Sequence, residues 1–183
     1  MNRLLSISKR GLALILLLLC LSGCQEPVVE VDPEELNLID HYVEELTLSL
    51  LDLEPDLLGW VREPYSENYP LKYDEERIAF LEKHLKNIQA IRELRQNDAF
   101  PDESTILQWQ VIVVRGSEEW LLEGAAVVNA LSRLETLGDR VEQAISMIVD
   151  SEGTLDLAQS DLVLALIEEL PLEIEEIREV FYK

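Results

Sequence analysis

The chain has 183 residues and carries 37 Asp and Glu against 15 Lys and Arg, which gives a net charge of −22 at neutral pH. Recognition of nucleic-acid phosphates and of anionic lipid headgroups depends on Lys and Arg, so this composition makes nucleic acid an unexpected partner. Both cysteines, Cys20 and Cys24, lie near the start of the sequence. The rest of the chain therefore has no thiol for a disulfide, a nucleophile or a metal ligand.

The first 24 residues have the organisation of an export signal. Three basic residues, Arg3, Lys9 and Arg10, precede an apolar run at 11–20, and Leu21-Ser22-Gly23-Cys24 follows. The apolar run is too short to span a bilayer as a mature helix. The ending resembles the lipobox of bacterial lipoproteins. The alternative is an ordinary secretory signal or an uncleaved anchor, in which Cys24 has no special role.

The lipobox resemblance implies a lipid anchor at Cys24. It implies transfer of diacylglycerol to the Cys24 thiol, cleavage before Cys24 and acylation, typically with palmitate, of the new amino terminus. Gln25 at the next position resembles lipoproteins that pass to the outer membrane and face the periplasm; in a bacterium with one membrane, the anchor would lie outside the plasma membrane. We thus expect a signal peptide at 1–23, a lipid-anchored tether at 24–32 and a helical domain at 33–183.

The first predicted helix begins at Asp32-Pro33, since an acidic N-cap and Pro at the first position favour a helix start. Its apolar residues repeat at spacings of three and four and predict an end near Glu54-Pro55. A turn-rich linker follows. Trp60, Tyr65 and Tyr69 in or beside this linker are candidate partner-binding anchors, or they cover the ends of the bundle.

The middle of the chain predicts a second helix at about 73–95 and an ambiguous segment at 104–115. The β-branched residues at 111–114 favour a strand, but a lone strand has nothing to pair with, so we predict a helix there. Ser117-Glu118-Glu119 is interpreted as the cap of a long helix that reaches Asp150.

The last predicted helix covers 160–182, with a kink or break at Pro171. These elements predict an all-α fold, an antiparallel bundle of four to five amphipathic helices. Residues 24–58 contain no Lys or Arg, and residues 150–183 contain two. Because both terminal helices are acidic, we expect them to repel each other and to pack beside the middle helices.

Two groups of residues are candidate metal ligands. His41 and Glu44 lie one turn apart on the first helix and could offer a nitrogen and a carboxylate to one ion, although the same spacing is common on a solvated, Glu-rich face. Asp150, Glu152 and Asp156 resemble the middle of an EF-hand loop, although its first and last ligand positions fall on residues that do not fit. A plain helix-turn-helix connection is the alternative.

No catalytic or phosphate-binding motif is present, and no cofactor is predicted. The favoured hypothesis is a lipid-anchored, non-enzymatic adaptor or assembly factor that acts through contacts with another envelope protein. The alternative is an acidic bundle that binds a ligand or divalent cations. An enzyme with a carboxylate site is disfavoured, because acidic pairs carry little information in so acidic a chain.

Overall fold

The computed structural model describes residues 31–62, 75–115, 117–152 and 154–182, with all their side chains except those of Arg62 and Arg115. The predicted signal peptide with Cys24, most of the tether, Tyr65 and Tyr69 lie outside these residues. Within them the fold is mostly helical, with one small antiparallel sheet, so the helical prediction is confirmed in part. The elements are α1 (Pro33–Arg62), α2 (Glu75–Glu93) continued by a 3-10 turn (Leu94–Gln96), α3 (Glu103–Ile106), β1 (Gln110–Arg115), β2 (Glu118–Glu123), α4 (Gly124–Asp150) and α5 (Leu157–Phe181).

Two prolines lie inside helices that continue past them. The prediction that the first helix ends at Pro55 is wrong, because α1 runs on to Arg62. Leu57 and Trp60 extend the buried stripe of α1 beyond the proline. Burial of such side chains contributes about 1.5–3 kcal/mol each, which offsets a cost of about 3 kcal/mol for proline in a helix. Pro171 likewise lies within the continuous helix α5.

The structure also corrects the prediction for 104–123. Only Glu103–Ile106 is helical, and Gln110–Arg115 forms a strand. Its partner is Glu118–Glu123, in the segment that we predicted as the start of the long helix, and the register pairs Arg115 with Glu118. The lone-strand objection fails because the partner is the next segment along the chain.

A single apolar core joins the four long helices. The stripes predicted from helical spacing are largely buried, including Val43 and Leu50 of α1, Leu134 of α4 and Ile174 of α5. Contrary to the charge argument, α1 packs directly against α5. No helix in the described part of the chain is both long and apolar enough to cross a membrane.

Candidate functional site

The hairpin formed by β1 and β2 rests one face on the core. Trp120 and Leu122 of β2 are only 8% and 2% exposed, and Val111 and Val113 of β1 are half-buried against the core. Because side chains alternate between the two faces of a strand, these four residues share the inner face. The inner face therefore holds the hairpin on the helical domain by apolar packing.

Backbone contacts also fix the base of the hairpin. The N–H of Gly124, directly after β2, donates to the carbonyl oxygen of Trp109, directly before β1, at 2.8 Å. A Cβ atom at Gly124 would lie 1.8 Å from the carbonyl oxygen of Ile106. The chain thus passes so close to the end of α3 that only glycine fits, and the hairpin has a defined position relative to α3 and α4.

The outer face of the hairpin is apolar and exposed. Ile112, Val114 and Leu121 have 67%, 59% and 50% of their surface accessible, and Ile112 lies opposite Leu121 in the register. An antiparallel sheet with one solvated face normally alternates apolar and polar residues, so polar residues are expected at these positions. Contiguous exposed apolar side chains rimmed by polar ones are typical of interaction sites. We call these three residues the hairpin face.

Glutamates of β2 and α5 flank one side of the hairpin face. Glu119 and Glu123 share the outer face with Ile112, since the register pairs them with Val114 and Gln110. A cleft of about 390 Å³ separates β2 from the end of α5, and its lining includes Glu123, Glu176 and Glu179. Its apolar lining consists of Leu121, Leu122, Ala126 and Val180. The rim of the candidate site is therefore acidic on the side of β2 and α5.

A second cleft, of about 660 Å³, contains an ion-pair cluster. The guanidinium of Arg92 in α2 lies 2.8 Å from Glu135, 2.6 Å from Asp139 and 2.5 Å from Glu142, all in α4. Burial lowers the pKa of Arg92, but the hydrogen bonds to these carboxylates outweigh it and hold the pKa above its usual value. Because one guanidinium of α2 contacts three carboxylates of α4, this cluster joins α2 to α4.

The hydroxyl of Tyr42 in α1 extends the same cluster. It donates to Glu135, which also pairs with Arg95 at 3.5 Å. Burial, and then the hydrogen bond and charge of Glu135, raise the pKa of Tyr42 well above its usual value. The hydrogen bond stabilises the packing of α1 on α4. Because the phenol holds its proton firmly, Tyr42 is a poor general acid.

The structure does not bring the candidate metal ligands into one site. Among the residues that the structure describes, no group of three or more His, Cys, Asp or Glu side chains could hold a metal ion. His41 and Glu44 are exposed on α1. Asp156 caps α5, where its carboxylate accepts from the N–H of Gln159 at 2.8 Å. The metal-binding hypotheses for these residues and for Asp150 and Glu152 stay predictions.

Trp60 is a core residue rather than an exposed anchor. It is 1% exposed, and the Arg77 guanidinium lies 4.5 Å from its ring centre. The helix α1 continues through Pro55 and turns the indole inward. The partner-binding role of Trp60 stays a prediction. The alternative, that it covers the bundle, fits better.

Sequence reasoning missed the hairpin face, although a signal for it was present. Two residues, Gly116 and Ser117, lie between the paired Arg115 and Glu118, and Gly-Ser between two apolar runs is typical of a tight hairpin. Residues 120–122 supply the second apolar run, and the alternation of side chains along a strand places Trp120 and Leu122 on one face and Leu121 on the other. Once the hairpin is recognised, Ile112, Val114 and Leu121 fall on one face.

Comparison of the chain with protein-family models, with curated proteins and with solved structures finds no match.

Proposed function

We propose that this chain is a lipid-anchored protein of a bacterial envelope, and that its helical domain is a non-enzymatic adaptor or assembly factor. The observation that carries the adaptor role is the exposed hairpin face of Ile112, Val114 and Leu121. The anchor rests on the sequence Leu21-Ser22-Gly23-Cys24. A surface that keeps three apolar side chains in water is best explained by a protein that covers them.

An antiparallel arrangement of α1, α2, α4 and α5 is part of this proposal. Between α1 and α2, the Asn87 amide donates to the Ser49 hydroxyl at 2.8 Å. Arg77, earlier in α2, contacts Trp60, later in α1. Contacts that run in opposite directions along two helices support antiparallel packing.

Ion pairs between α4 and α5 support the same arrangement. Arg133 pairs with Glu173 at 2.5 Å, whereas Arg140, later in α4, pairs with Glu169, earlier in α5, at 2.6 Å. Adjacent helices of opposite direction are typical of bundles with short connections.

The hairpin and the predicted anchor belong to the same end of the domain in this proposal. The Tyr182 hydroxyl, just after α5, donates to the carbonyl oxygen of Asp40 near the start of α1 at 3.4 Å. The cleft beside β2 is lined by the same end of α5. Nine residues from Cys24 to Pro33 reach at most about 30 Å, so the hairpin would lie near the membrane.

Mass spectrometry of the protein from its native host tests the anchor. We expect a chain that begins at Cys24 with diacylglycerol and an acyl group, and that leaves the membrane only with detergent. The matched control, Cys24→Ser, should lack these groups. An unmodified Cys24, or residues 1–23 still attached, would refute the anchor.

Crosslinking and pull-down from the native envelope test the adaptor role. A partner should co-purify with the wild type and with a control double variant, Leu157→Lys with Leu172→Lys, at exposed positions of α5. It should be lost with Ile112→Lys and Leu121→Lys. Absence of any specific partner would refute the adaptor role, and a partner retained by the hairpin variant would exclude the hairpin face.

A further inference from the structure

We propose that the hairpin face binds a basic segment of the partner protein, in which apolar side chains are flanked by Lys or Arg. This inference rests on the proposed adaptor role and adds the chemistry of the partner. It is carried by the combination of an apolar face, an acidic rim and an adjoining cleft with an apolar lining and glutamates.

The apolar part of the segment covers Ile112, Val114 and Leu121. These side chains are each at least half exposed, whereas the inner face of the same hairpin is packed on the core. Covering them removes apolar surface from water, which favours binding.

The cleft beside β2 fits a long basic side chain. Leu121, Ala126 and Val180 offer apolar surface to the methylene stem, and Glu123 and Glu179 offer carboxylates to the charged head. Lys and Arg bind in this way, with a buried stem and a solvated or paired head. No ion pair joins Glu123 or Glu179 to a side chain in the described part of the chain, whereas Glu176 already pairs with Arg133 at 2.7 Å.

Charge repulsion disfavours two alternative occupants of the hairpin face, a second copy of the chain and a bilayer. A second copy would bring Glu119 and Glu123 near their equivalents, and the hairpin at 110–123 carries three glutamates and one arginine. A bilayer with anionic headgroups would meet the same repulsion. A basic segment with apolar side chains instead binds favourably to both the apolar face and the acidic rim. Complementary charge also speeds its approach and selects it over acidic competitors.

Photocrosslinking in the native envelope tests the inference on the full chain. A photoreactive phenylalanine derivative replaces Ile112, or Leu157 as the matched control, since the two side chains are 67% and 66% exposed. Leu157 begins α5, about 36 Å along that helix from the end that lines the cleft. We expect an adduct from position 112 alone, and peptide mapping should place it beside Lys or Arg in the partner.

Charge variants then test the cleft. Glu123→Gln with Glu179→Gln should lower the yield of the adduct about three- to tenfold, because each exposed ion pair contributes modestly. The matched control, Asp161→Asn with Glu168→Gln, removes two exposed charges of α5 that do not line the cleft and should leave the yield unchanged. Thermal unfolding of each variant confirms that it folds, and Glu179→Gln alone replaces the double variant if that one does not.

The outcomes separate this inference from the adaptor role. An adduct with lipid, with a second copy of the chain or with a segment that lacks Lys and Arg would overturn the inference, as would equal yields from the two pairs of charge variants. Without an adduct at position 112, a partner still recovered by pull-down would overturn the inference and leave the adaptor role. Failure of both experiments would overturn both proposals.

Discussion

Two glycines of α4 show how close contacts decide the effect of one methyl group. A Cβ at Gly124 would meet the backbone carbonyl of Ile106 at 1.8 Å, whereas a Cβ at Gly138 would meet the side chain of Arg92 at 3.5 Å. We expect Gly124→Ala to lower the free energy of unfolding by about 2–3 kcal/mol, because the backbone at Ile106 must move to make room for the methyl group. Gly138→Ala should raise it by about 0.5–1 kcal/mol, because alanine favours the helix.

Urea unfolding followed by far-UV circular dichroism measures both glycine variants. Each serves as the control for the other, since the chemical change is the same and both sites lie in α4. Equal destabilisation by the two substitutions would contradict the role assigned to the approach of Gly124 to Ile106.

The Tyr42 hydroxyl should make stability depend on alkaline pH. Its pKa in the fold is raised above the usual value, so below about pH 10 both the folded and unfolded states hold the proton. As pH rises above about 10, the unfolded state loses its proton and the folded state keeps it, so the free energy of unfolding falls. Tyr42→Phe removes this contribution to the pH dependence.

Urea unfolding of wild type and Tyr42→Phe at a series of pH values tests this linkage. Between pH 7 and 9 the wild type should be more stable by a constant amount, about 1 kcal/mol for the lost hydrogen bond to Glu135. Above pH 10 the difference should shrink. A difference that stays constant up to pH 11 would show that Tyr42 ionises as it does in the unfolded chain.

The exposure of single residues was hard to predict because it depends on how the elements that carry them pack. Trp60 looks like a loop aromatic until α1 is seen to continue through Pro55, which places the indole in the core. Ile112 looks like a core residue until β1 is paired with β2, which turns it to solvent. In both cases the sequence shows the residue type, but it does not show which face of the helix or strand turns toward the core.

At the scale of elements, the capping box of α5 predicts a measurable effect at Asp156. Its carboxylate accepts from the N–H of Gln159, and the Gln159 side chain accepts from the N–H of Asp156 at 2.9 Å. We expect Asp156→Ala to lower the free energy of unfolding by about 1 kcal/mol. Asp156→Ser, which can still cap, should lower it much less, and urea unfolding distinguishes the two. Equal losses of unfolding free energy in the two variants would argue against a capping role for the Asp156 side chain.

Helices were easier to predict than the hairpin because a helical stripe is a local signal. The spacing of Val43, Leu50 and their neighbours locates α1 without knowledge of any other element. The end of α1 depends instead on what Leu57 packs against, since burial outweighs the cost of Pro55. The strand β1 likewise needs a partner, and the Glu-rich start of 118–123 favoured a helix cap over that partner.

At the scale of the whole molecule, apolar packing outweighs charge repulsion. The two acidic terminal helices, α1 and α5, pack directly on each other, which the charge distribution alone argued against. The expected pairing with basic middle elements is present as well, since Arg133 and Arg140 of α4 pair with glutamates of α5. Repulsion between exposed carboxylates is reduced by water and salt, whereas the core contacts are not.

This balance predicts that salt stabilises the fold. The chain carries a net charge of −22, so self-repulsion acts over the whole surface, whereas the ion pairs of Arg92, Arg133 and Arg140 are few. Screening weakens both, but the repulsion involves many more charges. We expect the Tm to rise by several degrees when NaCl is raised from about 0.02 M to about 0.3 M. Arg92→Met removes one favourable cluster and should steepen the rise. A Tm that falls with salt in the wild type would mean that the ion pairs dominate the surface electrostatics.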